Sequence, residues 1–356
     1  MSADATTAPG LARMHPAYFA LAMATGIVSI ACQLLGLRSI AVALYALNVV
    51  FYAALWIATV LRLVRHRDLV REDLFHHGRC VGFFTTVAAT CVVGSQSIVV
   101  AGRYDIALGL WFFAIVLWVL LTYLIVTVLT LKEHKPPLAE GLNGGWLVAV
   151  VSSHATAVLG AQIAPTLADH APHALFFSLV MWLGGSMLYL WIISLIFYRY
   201  TFFTLSPSDL APPYWINMGA AAIATLAGTM LIAATEHSPV LQQILPFVRG
   251  FTLLWWATAT WWIPLLVIFG IWRHIYKKFP LRYDPLYWGA VFPLGMYTAC
   301  TVRLAQAVDA PFLLAIPRVS VFVAIAAWCL TFVGMLAHFA RARRAPPALT
   351  GSPPPS

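Results

Sequence analysis

The chain has 356 residues, of which 62% are hydrophobic and 9% are charged, and it carries a formal net charge of +9. This composition excludes an ordinary soluble domain, in which about a quarter of the residues are charged. The sequence therefore predicts an integral membrane protein with little chain left over for a soluble domain.

Ten apolar segments are each long enough to cross a bilayer, which takes about 20 residues. They lie at 16–36, 39–64, 78–101, 104–131, 144–165, 172–200, 214–235, 247–275, 286–308 and 312–340. The odd segments are rich in Ala, Gly, Ser and Thr, whereas 11 of the 14 Trp residues lie in the even segments. Small side chains allow close contact between helices, and lipid tails accept Trp, Phe and Leu. The alternation predicts an all-α integral membrane fold whose odd helices form an inner ring around a pathway.

Basic residues are distributed unequally between the two ends of these segments. Sixteen of the 21 Lys and Arg residues lie on one side. Because short loops rich in Lys and Arg are retained in the cytoplasm, we expect a multi-pass protein of the cell inner membrane with both termini cytoplasmic. This pattern is the one that membrane topology requires, so we expect no nucleic-acid binding. Segments 1–12 and 345–356 are predicted to be disordered tails around a single transmembrane domain, 13–344.

An aromatic residue recurs near the start of each odd segment. The five positions are Phe19, Phe83, Trp146, Trp215 and Trp288, at intervals of 64, 63, 69 and 73 residues. A period close to the length of one helical hairpin predicts five related hairpins around an axis. Aromatic residues at the membrane interface would produce the same pattern without a repeat.

Charged residues inside the predicted spans are few. All 12 acidic residues lie in tails, loops or at segment ends. This argues against a cation carrier, since cation pathways use buried carboxylates. Two arginines, Arg303 and Arg318, lie inside the ninth and tenth segments. They either form an electropositive vestibule that attracts anions, or reach the interface or pair with Asp309.

His154 lies near the middle of the fifth segment. It either lines the pathway and titrates during transport or packs through hydrogen bonds. A membrane haem would need paired axial ligands, and no second His lies at that depth. The five Cys residues form no CxxC pair, so neither a metal site nor a disulfide is expected. We therefore expect no cofactor.

The ninth segment has a distinctive local pattern. Asp284 can cap its start and Pro285 suits the first helical position, which places Phe292 about two turns into the helix. Pro293 lacks an N–H group and clashes with the carbonyl of Gly289, so the sequence predicts a bend beside Phe292. An aromatic ring held at a bend can plug a narrow passage.

Four sequence motifs carry a family resemblance: HPAYF at 15–19, MATGIVS at 23–29, GLNGGW at 141–146 and WGAVFP at 288–293. With them the chain resembles the tellurite-resistance/C4-dicarboxylate transporter family, which includes plant slow-type anion channels, fungal malate permeases and fungal sulfite pumps. The resemblance implies ten transmembrane helices as five hairpins around a quasi-fivefold central pore. It also implies a homotrimer with one pore per subunit, in which Phe292 occludes a largely uncharged pore.

These observations predict channel-like transport of small anions, inorganic ions or C4-dicarboxylates, through a pore gated by Phe292. One alternative on the same fold is a proton-coupled dicarboxylate (malate) carrier or a sulfite or tellurite exporter, for which His154 is the first residue to test. A membrane-embedded redox subunit or enzyme is disfavoured. The sequence lacks buried carboxylates, metal-spaced Cys or His and a Gly-rich nucleotide loop.

Overall fold

The computed structural model describes residues 10–344, and this part of the chain contains ten long helices and no β-strand. The long helices are α1 (Ala20–Leu34), α2 (Arg38–Arg65), α3 (Phe84–Ala101), α4 (Tyr104–Leu131), α5 (Val148–Ile163), α6 (Ala171–Phe202), α7 (Ile216–Ala233), α8 (Leu245–Ile271), α9 (Trp288–Ala307) and α10 (Ala315–Arg344). Each predicted segment thus corresponds to one helix, which confirms the all-α class.

The described part of the predicted N-terminal tail is a short turn. Residues 10–12 belong to this turn, and Ala12 within it is buried. The domain boundary at residue 13 stays a prediction. The rest of that tail, and the predicted tail at 345–356, lie outside the described residues.

Nine of these helices, several with the short turns next to them, are long and apolar enough to cross a membrane. In the described part of the chain α9 is the long helix that does not meet this criterion. Its position explains the difference, since 15 of its 20 residues are buried. A helix that is surrounded by protein need not match the apolar character of lipid.

The five odd helices form a closed ring. α1 packs against α3, α3 against α5, α5 against α7 and α7 against α9, which returns to α1. In α1, α3, α5 and α7 the most apolar window is 78–94% buried, whereas in the five even helices it is 17–44% buried. The predicted separation into inner odd helices and outer even helices is therefore confirmed.

Glycines allow the inner helices to approach their neighbours closely. A β-carbon at Gly295 of α9 would lie 3.0 Å from Cγ2 of Ile27 on α1. At Gly228 of α7 it would overlap the hydroxyl oxygen of Thr252 on α8. Larger residues at these positions would push the helices apart.

Replacing Gly228 by Ala is expected to destabilise the protein by about 1–3 kcal/mol, because the added methyl group overlaps the Thr252 side chain. Thermal unfolding of the detergent-solubilised protein, followed by Trp fluorescence, measures the effect. Gly184→Ala on α6 is the matched control, since no atom lies within 4 Å of its β-carbon position. Equal melting temperatures for the two variants would contradict the close packing of α7 on α8.

Trp residues of the outer helices face in two directions. Trp191 is exposed, as expected for a side chain in contact with lipid. Trp182 instead donates from Nε1 to the carbonyl of Ala224 at 2.8 Å, and Trp328 donates to the hydroxyl of Thr25 at 3.0 Å. A Trp residue on an outer helix therefore does not always face lipid. Those that turn inward join the outer helices to the ring.

Candidate functional site

Two cavities lie along the ring, and each is lined by residues from all five inner helices or the turns that precede them. The N-side cavity, at the N-terminal ends of the inner helices, has a volume of about 100 Å³. The C-side cavity, toward their C-terminal ends, has a volume of about 20 Å³. Together they mark a discontinuous passage through the middle of the ring.

A thin septum separates the two cavities. On α1, Met23 lines the N-side cavity and Ile27 lines the C-side cavity; on α9, Phe292 and Met296 do the same. Four residues of an α-helix advance by about 6 Å. The septum on these helices is therefore about one helical turn thick, and Phe292 lies at its N-side surface.

The three residues predicted to form the constriction lie together on α9. Phe292 is only 1% exposed, and Gly289, nearly one turn earlier, also lines the N-side cavity. The Pro293 ring packs on α7, where a β-carbon at Gly219 would lie 2.7 Å from the proline Cγ. α9 is one continuous α-helix that includes Pro293. This packing holds the backbone next to Phe292 against α7.

Five short 3-10 turns surround the N-side cavity, one before each inner helix. They are Pro16–Phe19, Val81–Phe83, Gly144–Leu147, Pro212–Trp215 and Pro285–Tyr287. Each aromatic residue of the sequence repeat lies in one of these turns or directly after it, so the repeat marks equivalent points of the five hairpins. Helix N-termini carry partial positive charge. Five of them around one cavity favour anions there.

Side chains cap three of these turns. Asn143 and Asp284 each accept a hydrogen bond through Oδ1 from the N–H two residues further on, at 2.8 and 2.7 Å. His15 does the same through Nδ1 at 3.0 Å. The capping role of Asp284 is the one that the sequence predicted.

Basic residues at or near the ends of four outer helices donate hydrogen bonds to the backbone that precedes the inner helix of their own hairpin. Each acceptor is a carbonyl in the segment before the 3-10 turn of that inner helix. The pairs are Arg62 with Ala12, Lys132 with Phe75, Arg199 with Leu142 and Arg273 with Leu210. We call these contacts the basic latches. Sequence reasoning missed them and treated these charges only as indicators of membrane topology.

The latches reduce the number of free charges at this face. Arg62, Arg199 and Arg273 are buried, and Arg62 also forms an ion pair with Asp73 at 2.7 Å. These three arginines are therefore bound within the protein. The positive potential of the N-side cavity depends correspondingly more on the helix ends.

His15 is the histidine in the wall of the N-side cavity. Burial lowers the pKa of its imidazole to about 4, with a further contribution from the positive charge of Arg79 that exceeds the opposing effect of Asp73. His15 is therefore neutral at neutral pH.

The low pKa of His15 predicts a pH-dependent loss of stability. Since the pKa of an unfolded histidine is about 6.5, folding disfavours the protonated form, and the contribution of neutral His15 is complete above that pH and declines toward pH 4. Wild type should therefore lose melting temperature relative to His15→Asn between pH 6.5 and 4.5, with a constant difference above pH 7. Asn retains an acceptor for the Ala17 N–H group. Parallel curves over the whole range would contradict the assignment.

Arg303 and Arg318 lie in different places. Arg303 lines the C-side cavity, where its Nη1 lies 3.3 Å from Oε1 of Gln306. It takes part in no ion pair of the described residues, so the alternative pairing with Asp309 is not observed. Arg318 is exposed on α10 and lines neither cavity. Only Arg303 is therefore placed to act on an ion in the passage.

His154 does not line either cavity. Its Nε2 lies 3.2 Å from the carbonyl oxygen of Trp182 and 3.4 Å from Oγ of Ser186, both on α6. The stripe of α5 that lines the cavities repeats every three or four residues from Val151 to Gln162, and position 154 lies beside that stripe. Of the two roles considered for His154, these contacts match packing through hydrogen bonds.

Comparisons with known proteins extend over most of the chain. A family model described as voltage-dependent anion channel matches residues 13–336. A membrane protein of Mycobacterium tuberculosis is 40% identical over 153 residues, which cover 43% of this chain and 77% of that protein. A transporter of Methanocaldococcus jannaschii is 28% identical over 80% of this chain and 81% of its own length. A sulfite efflux pump of Arthroderma benhamiae is 26% identical over 90% of each chain.

Proposed function

The chain belongs to the voltage-dependent anion channel family, and we propose that it moves small anions across the membrane through the centre of its inner ring. One observation carries this proposal. Two cavities, each lined by all five inner helices, approach each other within about one helical turn. A local movement at the septum would join them into a continuous passage.

Selectivity for anions follows from the charges along this passage. No acidic residue lines either cavity in the described part of the chain. The N-side cavity receives the positive ends of five helix dipoles, and the guanidinium group of Arg303 lies in the C-side cavity. A cation would meet positive potential at both ends with no carboxylate to replace its water.

The gate that we propose is the ring of Phe292. The packing of Pro293 on Gly219 holds the backbone at this point, so opening requires rotation of the aromatic side chain rather than a shift of α9. Side-chain rotamers interconvert without breaking backbone hydrogen bonds. Phe292 therefore acts as a local plug in a passage whose helices stay in place.

Inorganic anions such as sulfite are the substrates that we favour, because sulfite efflux pumps are related to this chain over nearly its whole length. The same relatives support a second candidate function, export, and a proton gradient is the driving force that we propose for it. His154 lines neither cavity, which leaves His15 as the histidine that an ion in the passage would meet. C4-dicarboxylates remain the organic alternative.

Flux into liposomes tests the function. Chloride, nitrate, sulfite, malate and succinate are each supplied to the reconstituted protein with and without a pH gradient. Dissipation of an anion gradient that is independent of pH supports a channel, and accumulation driven by the pH gradient supports the exporter. Equal flux of potassium, or no flux of any anion, would overturn the proposal.

We further propose that the protein is a homotrimer in the cell inner membrane with both termini cytoplasmic. The excess of basic residues at the N-terminal ends of the inner helices supports this orientation. Cys329 is exposed but lies in the middle of α10, so its labelling does not show which end of the helix faces the cytoplasm.

Single cysteines introduced into the 67–75 helix test the orientation with a membrane-impermeant reagent. Labelling of these cysteines from outside intact cells would contradict the proposed orientation.

A further inference from the structure

The outer layer covers the inner ring unevenly. α2, α4 and α6 each pack against two neighbouring inner helices, and α10 packs against α9 and α1, whereas α8 packs closely only on α7. The gap between α8 and α9 is crossed by side chains: the hydroxyl groups of Tyr297 and Thr260 lie 2.8 Å apart, and Trp256 stacks on Tyr297. The back of the gate helix is therefore left partly open.

A long groove follows from this arrangement. Two cavities of about 430 and 500 Å³ lie along α9 beside α10 and meet at Leu294. The comparable cavity between α2 and α4 has a volume of about 190 Å³. We call the joined pair the α9 groove. Its walls are almost entirely apolar along α10, from Ile316 to Leu330.

The end of the groove at the N-terminal side of α9 is different in character. Arg282 lies there, exposed, together with the aromatic rings of Tyr283 and Tyr287. Tyrosines are typical of the membrane interface, and arginine binds phosphate groups. A cation at the interface above a long apolar groove matches the chemistry of a phospholipid.

We propose that the α9 groove binds an anionic phospholipid, with an acyl chain along α9 and the headgroup phosphate on Arg282. The complementary charge of Arg282 distinguishes this site from general contact with the bilayer. The lipid comes from the leaflet at the face where the basic latches lie.

The position of the groove gives the bound lipid access to the gate. The α9 groove is lined by Ala290, Val291 and Leu294, which flank Phe292 on α9. At the hairpin of α9 and α10, the ring of Tyr283 also meets the ring of His338, with 5.6 Å between the ring centroids. Because Tyr283 lines the groove, a lipid there contacts the residues that hold the start of α9. This effect on the gate rests on the proposed function, whereas lipid binding does not.

Native mass spectrometry of the detergent-solubilised full chain tests binding, with dioleoyl-phosphatidylglycerol and dioleoyl-phosphatidylcholine as probes. We expect one tightly retained phosphatidylglycerol per subunit and weaker retention of phosphatidylcholine. Arg282→Gln should weaken phosphatidylglycerol binding about fivefold, the effect of one interfacial cation. Lys278→Gln, in the same loop but outside the groove lining, is the matched control and should bind as wild type does. Equal binding of the two lipids, or equal loss in both variants, would overturn the headgroup site.

A second pair of variants tests the groove itself. Ala327→Phe places a ring in the groove, whereas Ala326→Phe places one on an exposed face of the same helix. Loss of the retained lipid only in Ala327→Phe supports the proposal, and retention in both overturns it. Dissociation of an oligomer by Ala327→Phe without any change in lipid retention would show that a second copy of the chain occupies the groove.

Flux measurements separate binding from regulation. Wild type is reconstituted in phosphatidylcholine vesicles with and without phosphatidylglycerol, and Arg282→Gln is compared with it. A lipid-dependent change in flux that Arg282→Gln removes supports coupling to the gate. Retained lipid with unchanged flux overturns the coupling and leaves the site, while absence of anion flux in every vesicle overturns the proposed function and leaves the binding result intact.

Discussion

Replacing Phe292 by Ala is expected to raise anion flux through the reconstituted protein by about tenfold or more, which corresponds to removing at least about 1.4 kcal/mol from the barrier. The substitution deletes the ring at the N-side surface of a septum that is about one helical turn thick. An apolar plug blocks ions because it excludes the water that must accompany them. Flux of a permeant anion into liposomes at matched protein content measures the change.

A matched control is Phe19→Ala. Phe19 is as deeply buried as Phe292, at 1% exposed, but its ring packs on Tyr52 and Trp56 and lines neither axial cavity. Its truncation should lower the melting temperature without increasing flux. Equal flux in wild type and Phe292→Ala, or an equal increase in both truncations, would contradict the gate.

Replacing Arg303 by Gln is expected to reduce anion flux roughly threefold to tenfold at about 10 mM salt, where electrostatic attraction extends over about 30 Å. Arg303 is the residue of fixed charge among those that line the two cavities in the described part of the chain. The deficit should shrink as ionic strength rises toward 1 M, because screening weakens the attraction that wild type gains. Single-channel current or flux at several salt concentrations measures it.

Arg318→Gln serves as the control for this effect. It removes the same charge from a neighbouring helix, at an exposed position that lines neither cavity. Its flux should match wild type at every salt concentration. A deficit in Arg303→Gln that is independent of salt would assign Arg303 to packing rather than to attraction of anions.

The aromatic repeat and the helix cap are features that local sequence can predict. Asp284 caps the turn before α9 as predicted. A side-chain acceptor placed just before a helix can accept a hydrogen bond from one of the N–H groups that have no partner within the helix. The five recurring aromatic residues mark five equivalent turns. The effect of Pro293 is only partly predictable, since a missing N–H group can be tolerated inside a helix whose neighbour supports it.

The sequence did not predict which side chains of an inner helix face the passage. An inner helix is enclosed by protein on every side, so its pathway face and its packing face are both buried and differ little in polarity. Val151 and His154 illustrate this, since both are buried on α5 but only Val151 lines a cavity. Several hydroxyl and amide groups of the ring bind outer helices instead, as Gln96 does with Asn48 at 2.8 Å.

The sequence by itself determined the membrane class, the ten helices, their alternation between inner and outer positions and the absence of acidic residues from the interior, because lipid and close helix contact impose different compositions on a chain. Only the tertiary structure decided that Arg303 lines the passage while Arg318 does not. It also decided that four basic residues form the latches and that one side of α9 lines the α9 groove. Each of these depends on which elements meet in space, and neither hydropathy nor local spacing encodes that.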